Sequence, residues 1–196
     1  MRPTYLTPKV SLCLFTYQGN IWSYEKISSW QCLKNIIEHE KKLICYSYLH
    51  NCMNLEGNLR LMKTLDDAWN SQDWDTFIKR HAESTEVYWP GQPQPTKGRD
   101  NHKNESIEFF KAFPDNHIDN DPYKILFGQD DWTCSVANFT GTFKGPLKGM
   151  DGKTIEPTNK KFQIEFCTVA HWRNDEIVEE KLFYDLVGMM KQIGAM

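Results

Sequence analysis

No apolar run in these 196 residues is long enough for a transmembrane helix, so no helical span is expected. No CxxC pair and no cysteine/histidine spacing of the zinc-binding kind occurs, so the six cysteines outline no metal framework. Neither sign of charge dominates. A net charge of −3 gives no reason to expect nucleic acid or an anionic membrane as partner. Internal repeats and low-complexity tracts are missing too. Cysteine is scarce beyond residue 53, where only Cys134 and Cys167 occur. Both fall in expected strands, where small buried thiols are ordinary, and a reducing cytosol is the compartment that fits. Val10–Tyr17 is apolar and follows Arg2 and Lys9. It is short and no small-residue cleavage site follows, so it is not read as a signal peptide.

The length suits one ordinary domain with an extension, enough to bury a core and a ligand cavity. Residues 1–52 are net +3 and hold Cys13, Cys32, Cys45 and Cys52, whereas residues 53–196 are net −6. The first segment shows no sustained period before Gln31–Leu49, where Leu33, Ile36, Ile37, Ile44 and Tyr48 suit an amphipathic helix. Two readings compete for it: an accessory arm, or translated upstream sequence ahead of a start at Met53. The second is preferred, and neither assigns chemistry to it.

From Asn54 the signals become regular. Asn54 can cap a helix with a stripe of Leu55, Leu59, Met62, Leu65, Ala68 and Trp69. Asp73 can cap a second, carrying Trp74, Phe77 and Ile78, with His81 placed at its C-terminus, where an imidazolium is favoured. A short strand over Glu86–Trp89 stops at Pro90-Gly91. Asp100 opens a third helix with Ile107, Phe109, Phe110 and Phe113 as its apolar side, ended by Pro114. Strands are expected over His117–Gln129 and Trp132–Lys144. In the first, His117, Asp119 and Asp121 share one face; a carboxylate-rich metal site is weighed there, and a polar strand start is preferred.

The C-terminal run is the richest. Phe162, Ile164, Phe166, Thr168, Ala170 and Trp172 alternate with Gln163, Glu165, Cys167, Val169 and His171, the period of a strand. After an Asn174-Asp175 turn, Ile177, Glu179, Lys181, Phe183 and Asp185 take one face and Val178, Glu180, Leu182 and Tyr184 the other. A hairpin can bring His171 and Asp185 within reach, depending on register. Helices followed by antiparallel strands predict an α+β fold with helices packed on one side of a bent sheet.

Several motifs then fall in a familiar order. They are Phe113-Pro114-Asp115, Ile125-Leu126-Phe127-Gly128 before Trp132, Gly141-Thr142-Phe143, Pro157-Thr158, Ile177-Val178-Glu179-Glu180, Asp185 and Met190-Lys191-Gln192-Ile193-Gly194. In order and spacing, residues 53–196 resemble the SnoaL-like polyketide (ester) cyclases of the NTF2-like superfamily. The resemblance implies a conical α+β barrel, three N-terminal helices closing a curved antiparallel sheet over an apolar pocket, with homodimers or higher homo-oligomers formed through the sheet. It also implies intramolecular aldol condensation on a hydrophobic carbonyl substrate without metal or cofactor, with Asp185 as acid/base and His171 assisting. Asn159 stands where a glycine is common and Lys181 where an aromatic is common, the second change lying close to the catalytic end of the strand and so bearing on the pocket's shape.

The chemistry makes sense on its own terms. Removing a proton α to a carbonyl needs a base in a water-poor pocket, and the enolate oxygen needs a hydrogen-bond donor. Flat apolar substrates suit aromatic walls, for which Trp69, Tyr88, Phe113 and Trp132 are candidates, with His117 at the rim. The alternatives are an isomerase, dehydratase or epoxide hydrolase on the same scaffold, or a non-catalytic domain binding a hydrophobic ligand or a protein.

Overall fold

A computed structural model describes residues 12–18, 21–27, 38, 41, 54–149 and 152–196. Contacts divide the chain into two units, Met1–His50 and Asn51–Met196. In the first, β1 (Leu12–Gln18) and β2 (Ile21–Ile27) form an antiparallel hairpin, with Leu12 opposite Ile27 and Gln18 opposite Ile21. Both strands mix apolar and polar types without alternation, so no period announced them. The helix expected over Gln31–Leu49 lies outside the described residues, apart from Glu38 and Lys41, which are helical.

In the second unit the stripe after Asn54 becomes helix α1 (residues 54–71), which buries Met62, Leu65, Ala68 and Trp69. The Asp73 side chain caps α2 (Trp74–Lys79) by accepting from Thr76 N. The chain then enters β3 (His81–Tyr88) directly, and β4 (Thr96–Lys97) pairs back on it. His81 directly follows Arg80, the C-cap of α2, and its Nδ1 bonds the Phe77 carbonyl of that helix's last turn, as expected for a residue at the helix C-terminus. It also opens β3, a strand that starts five residues earlier than the sequence suggests. α3 (Arg99–Ala112) follows and stops before Pro114, as the missing N–H requires.

The stretch expected as one strand over His117–Gln129 is broken around Pro122 into β5 (His117–Asp119) and β6 (Ile125–Gln129), both paired with β7 (Trp132–Thr142). β8 (Leu147–Lys148) and β9 (Thr154–Ile155) form a small ladder. The C-terminal hairpin is β10 (Lys161–Arg173) and β11 (Glu176–Tyr184), turning on Asn174 and Asp175, both at positive φ. Helix α4 (Leu186–Gln192) ends the fold.

The seven-stranded sheet runs β4-β3-β11-β10-β7-β5, with β6 also on β7. It is antiparallel except where β3 lies parallel to β11, which sets the unit's first long strand beside its last. That contact spans nearly the whole unit in sequence, so no local pattern encodes it. The expected antiparallel sheet is present, with this one parallel pair added.

The sheet's inner face packs against α1, α2 and α3 around an aromatic core. Phe113, Phe143 and Phe162 are essentially unexposed and meet at ring separations of 5.3–5.4 Å. Each buried phenylalanine contributes about 1.5–3 kcal/mol of hydrophobic stabilisation. Gly141 faces Phe162 across the ladder, and a Cβ there would lie 2.7 Å from the ring, so a close approach requires glycine. Asn159 sits at φ +60°, a left-handed conformation in which asparagine can stand in for glycine.

Candidate functional site

One carboxylate lies on the wrong side of an apolar helix. Met62, Leu65, Asp66 and Trp69 follow the i, i+3, i+4, i+7 spacing of the buried stripe of α1, and Asp66 is only 4% exposed. Its partner is the Tyr123 hydroxyl, which donates to Oδ2 at 2.6 Å. Burial pushes the Asp66 carboxyl up to about 7, with nearby Glu180 and Asp67 adding to the rise. Tyr123 and Lys63 oppose it without cancelling it. Burial beside Asp66 in turn raises the Tyr123 phenol.

Across the core stands a second buried group, His81, His102 and Glu180. Two irregularities place it. β10 and β11 slip in register at His171/Trp172, so Ile177 and Glu180, an odd and an even position, both turn inward. Between the pairs Ile177–His81 and Glu179–Glu86, β11 takes two residue steps and β3 takes five, which sets the start of β3 apart from the rest of that ladder. His102 comes from the first turns of α3, on a buried line continued by Ser106 and Phe110. Nε2 of His81 and Nε2 of His102 each lie 3.3 Å from Glu180 Oε2. Burial alone would raise the Glu180 carboxyl; the two imidazoles outweigh it and hold it well below the usual range. Burial, with His81 alongside, pushes His102 down despite Glu180.

Asp66, His102 and Glu180 line one inner cavity with Leu65, Trp69, Phe77, Trp89, Ile118, Phe166, Thr168 and Leu182. Its volume is about 20 Å³, room for a single water. Two polar atoms on its walls have no hydrogen-bond partner among the described residues, Trp89 Nε1 and His102 Nδ1. Trp89 and Leu182 are shared with a more open groove of about 330 Å³, whose other walls are Tyr88, Pro90, Lys181, Phe183 and Tyr184. That volume is in the range of small-molecule sites.

The residues singled out from sequence are distributed over several surfaces. Asp185 is exposed and caps α4, its Oδ1 accepting from Gly188 N at 2.8 Å. His171 lies on the outer face of β10, its ring stacked on Trp132 at 4.5 Å. The structure does not bring these two together. Trp69 lines the inner cavity, and its Nε1 donates to Asn116 Oδ1. Phe113 is core, Tyr88 lines the outer groove with its hydroxyl donating to Glu86, and His117 is exposed on β5. Lys181 also faces outward, bonded to Glu179, so its departure from the aromatic leaves the inner cavity untouched.

Sequence reasoning passed over Asp66, Glu180 and His102. The signal for the first two was present: a carboxylate at a core position of a helical stripe, and another on a strand face between Val178 and Leu182. His81 was placed correctly at the end of α2, but its burial beside His102 and Glu180 was not read from the sequence.

Among solved structures, the chain is similar to a proposed SnoaL-like polyketide cyclase from Jannaschia sp. CCS1, at 19% identity and TM-score 0.64 over 72% of this chain and 94% of that one. It is also similar to AclR, a proposed hydroxylase from Streptomyces galilaeus, at 17% identity and TM-score 0.61 over 72% and 98%. A third is a Catenulispora acidiphila protein with a ketosteroid isomerase-like fold, solved with trimethylamine, at 16% identity and TM-score 0.55 over 68% and 92%. Identities this low establish the shared fold and nothing about substrate. A comparison with curated proteins finds no match. The sequence matches the SnoaL-like polyketide cyclase family over residues 59–193, nearly the whole second unit. With the α+β fold now described, the chain belongs to the SnoaL-like polyketide cyclase family.

Proposed function

We propose that the second unit catalyses proton transfer α to a carbonyl of a hydrophobic, ring-sized substrate, the step that opens an intramolecular aldol closure, and that Asp66 moves the proton. The observation that carries this reading is Asp66 itself: a buried carboxyl on a cavity wall, raised to about 7, where it can both take and return a proton near neutral pH. Glu180 is unsuited to that task, since two imidazoles hold it ionised. The Trp89 indole N–H, unpartnered on the same cavity, supplies a donor for the enolate oxygen. The groove beyond Trp89 and Leu182 has the volume for the substrate's body, and its reactive end meets Asp66 when the wall formed by these two residues opens.

In the step proposed, Asp66 removes the α-proton and the electron pair moves onto the carbonyl oxygen. The enolate carbon attacks a second carbonyl of the same molecule, and the new alkoxide takes a proton, returned from Asp66. A tetralone serves as probe: in D2O the enzyme exchanges its α-hydrogens, with a rate that rises as a group near pH 7 ionises, and Asp66→Asn removes the exchange. Exchange no faster than buffer, with the probe bound, would leave a ligand-binding domain in place of an enzyme.

The outer face of the sheet supports self-association. Phe127 is 58% exposed and Phe183 is 54% exposed, with Ile125 on the same face as Phe127. We propose that copies of the chain pair through this face.

A further inference from the structure

We propose that Nε2 of His81, Nε2 of His102 and Oε2 of Glu180 form a binding site for one divalent cation of the zinc class. Its test is independent of the proton-transfer reading, because binding is measured without turnover, although Asp66 and two of the ligands line the same cavity.

Hydrogen bonding around His81 carries the argument. Its Nδ1 lies 2.9 Å from the Phe77 carbonyl oxygen, which can only accept, so Nδ1 holds the proton. In the neutral ring Nε2 is then a bare lone pair, aimed at a carboxylate oxygen 3.3 Å away. Two acceptors facing each other require something positive between them, either a second ring proton or a cation. The distances leave room for the cation. Charge-assisted N–H···O contacts close to about 2.7–2.9 Å, yet both imidazoles stand at 3.3 Å from one and the same oxygen. With metal–ligand bonds of about 2.0–2.1 Å, the edge of a coordination tetrahedron is about 3.3–3.4 Å. One ligand atom from each residue lies within 4.8 Å of the others, and a small closing of the three side chains would bring them all onto one ion.

The surroundings fit a built site. The three residues are 0%, 2% and 4% exposed and come from three elements, the start of β3, the first turns of α3 and β11. The Nδ1–H of His81 bonded to a carbonyl is the usual outer-shell partner of a ligating histidine, fixing its tautomer. With Nε2 of His102 on the ion, the proton of that ring moves to Nδ1, now without a partner, and makes it a donor toward the cavity. The cavity that His102 and Glu180 line has room for one water, which would supply a fourth ligand. Two histidines, one glutamate and a water are a donor set of catalytic rather than closed structural zinc. Nitrogen donors disfavour Mg²⁺ and Ca²⁺, which take oxygen ligands.

The test uses the full chain, stripped with chelator and titrated with Zn²⁺, Co²⁺ and, as control, Mg²⁺. Binding of one equivalent of Co²⁺ with intense tetrahedral ligand-field bands is expected, together with a melting temperature raised by Zn²⁺ and not by Mg²⁺. Glu180→Gln loses both effects, while Asp66→Asn keeps metal binding and loses exchange, which separates the two readings. Should Glu180→Gln not fold, imidazole ¹⁵N spectra of the unaltered protein decide: on adding Zn²⁺, Nε2 of His81 and His102 shift and the other four histidines do not. Unchanged melting with no tetrahedral bands would overturn the proposal. So would zinc held equally by Glu180→Gln, which would place the ion elsewhere, for instance on the cysteines and histidines of residues 1–52.

Discussion

Asp66 ties the stability of the fold to pH in a direction opposite to an ordinary surface carboxylate. Its folded-state value of about 7 lies above the ordinary aspartate value of 3.8. Between those values the native state keeps a proton that the unfolded chain has lost, so stability falls as pH rises. The contribution is fully present below about pH 3.8 and is lost as pH climbs through about 7. At 1.36 kcal/mol per unit, the window corresponds to about 4 kcal/mol, an order-of-magnitude figure. Asp66→Asn has the same size, still accepts from Tyr123 and does not titrate. Denaturant melts of both proteins from about pH 4 to about pH 8 give the difference directly. Taking the difference removes the groups they share, including Lys63, Asp67 and Glu180, the last of which acts with the opposite sign. The variant should gain on the unaltered protein by about 4 kcal/mol across that range, with most of the gain below pH 7. A difference that stays flat to within about 1 kcal/mol would show Asp66 titrating as an exposed aspartate, and the reasoning from burial would fail.

Tyr123→Phe removes the hydroxyl that holds Asp66 down, so the midpoint of that same pH curve should move higher; an unmoved midpoint would deny the bond any role. Phe113→Ala empties a fully buried position among Phe109, Phe143 and Phe162 and should cost about 3–5 kcal/mol in denaturant melts. A cost below about 1 kcal/mol would mean the core closes over the cavity. Cys167, raised to about 11 by burial and by neighbouring Cys134, should resist alkylation at neutral pH and react only in alkali, read by mass spectrometry. Phe183→Asp should shift the sedimenting species to a monomer if copies pair through the outer face; a monomeric parent protein would refute the pairing.

The hairpin of β10 and β11 was legible almost to the residue, because its period-2 pattern and Asn174-Asp175 turn are local signals. The stripe of α1, the Asp73 cap and the stop before Pro114 were legible for the same reason. What the chain hid depends on contacts between distant segments: β3 against β11, and the register slips that turn Ile177 and Glu180 inward together. Strict alternation assigns those two residues to opposite faces, so no reading of the strand alone unites Glu180 with His81. Asp185 shows the converse. Aspartate among Phe183, Tyr184, Leu186 and Val187 asks for a reason, and helix capping supplies one that is local, with its cost of removal about 1 kcal/mol. Asp66 was visible as a charge in an apolar stripe, but its raised pKa follows from burial, which only packing reveals.

The central claim is that proton transfer is centred on Asp66 in the inner cavity. The most direct test compares α-hydrogen exchange of a tetralone by Asp66→Asn and Asp185→Asn, each a size-preserving loss of one carboxylate. The account predicts that Asp66→Asn abolishes exchange, while Asp185→Asn, in which asparagine still caps α4, proceeds at the rate of the unaltered protein. Exchange that survives in Asp66→Asn and vanishes in Asp185→Asn would contradict it and return the chemistry to the end of the last strand.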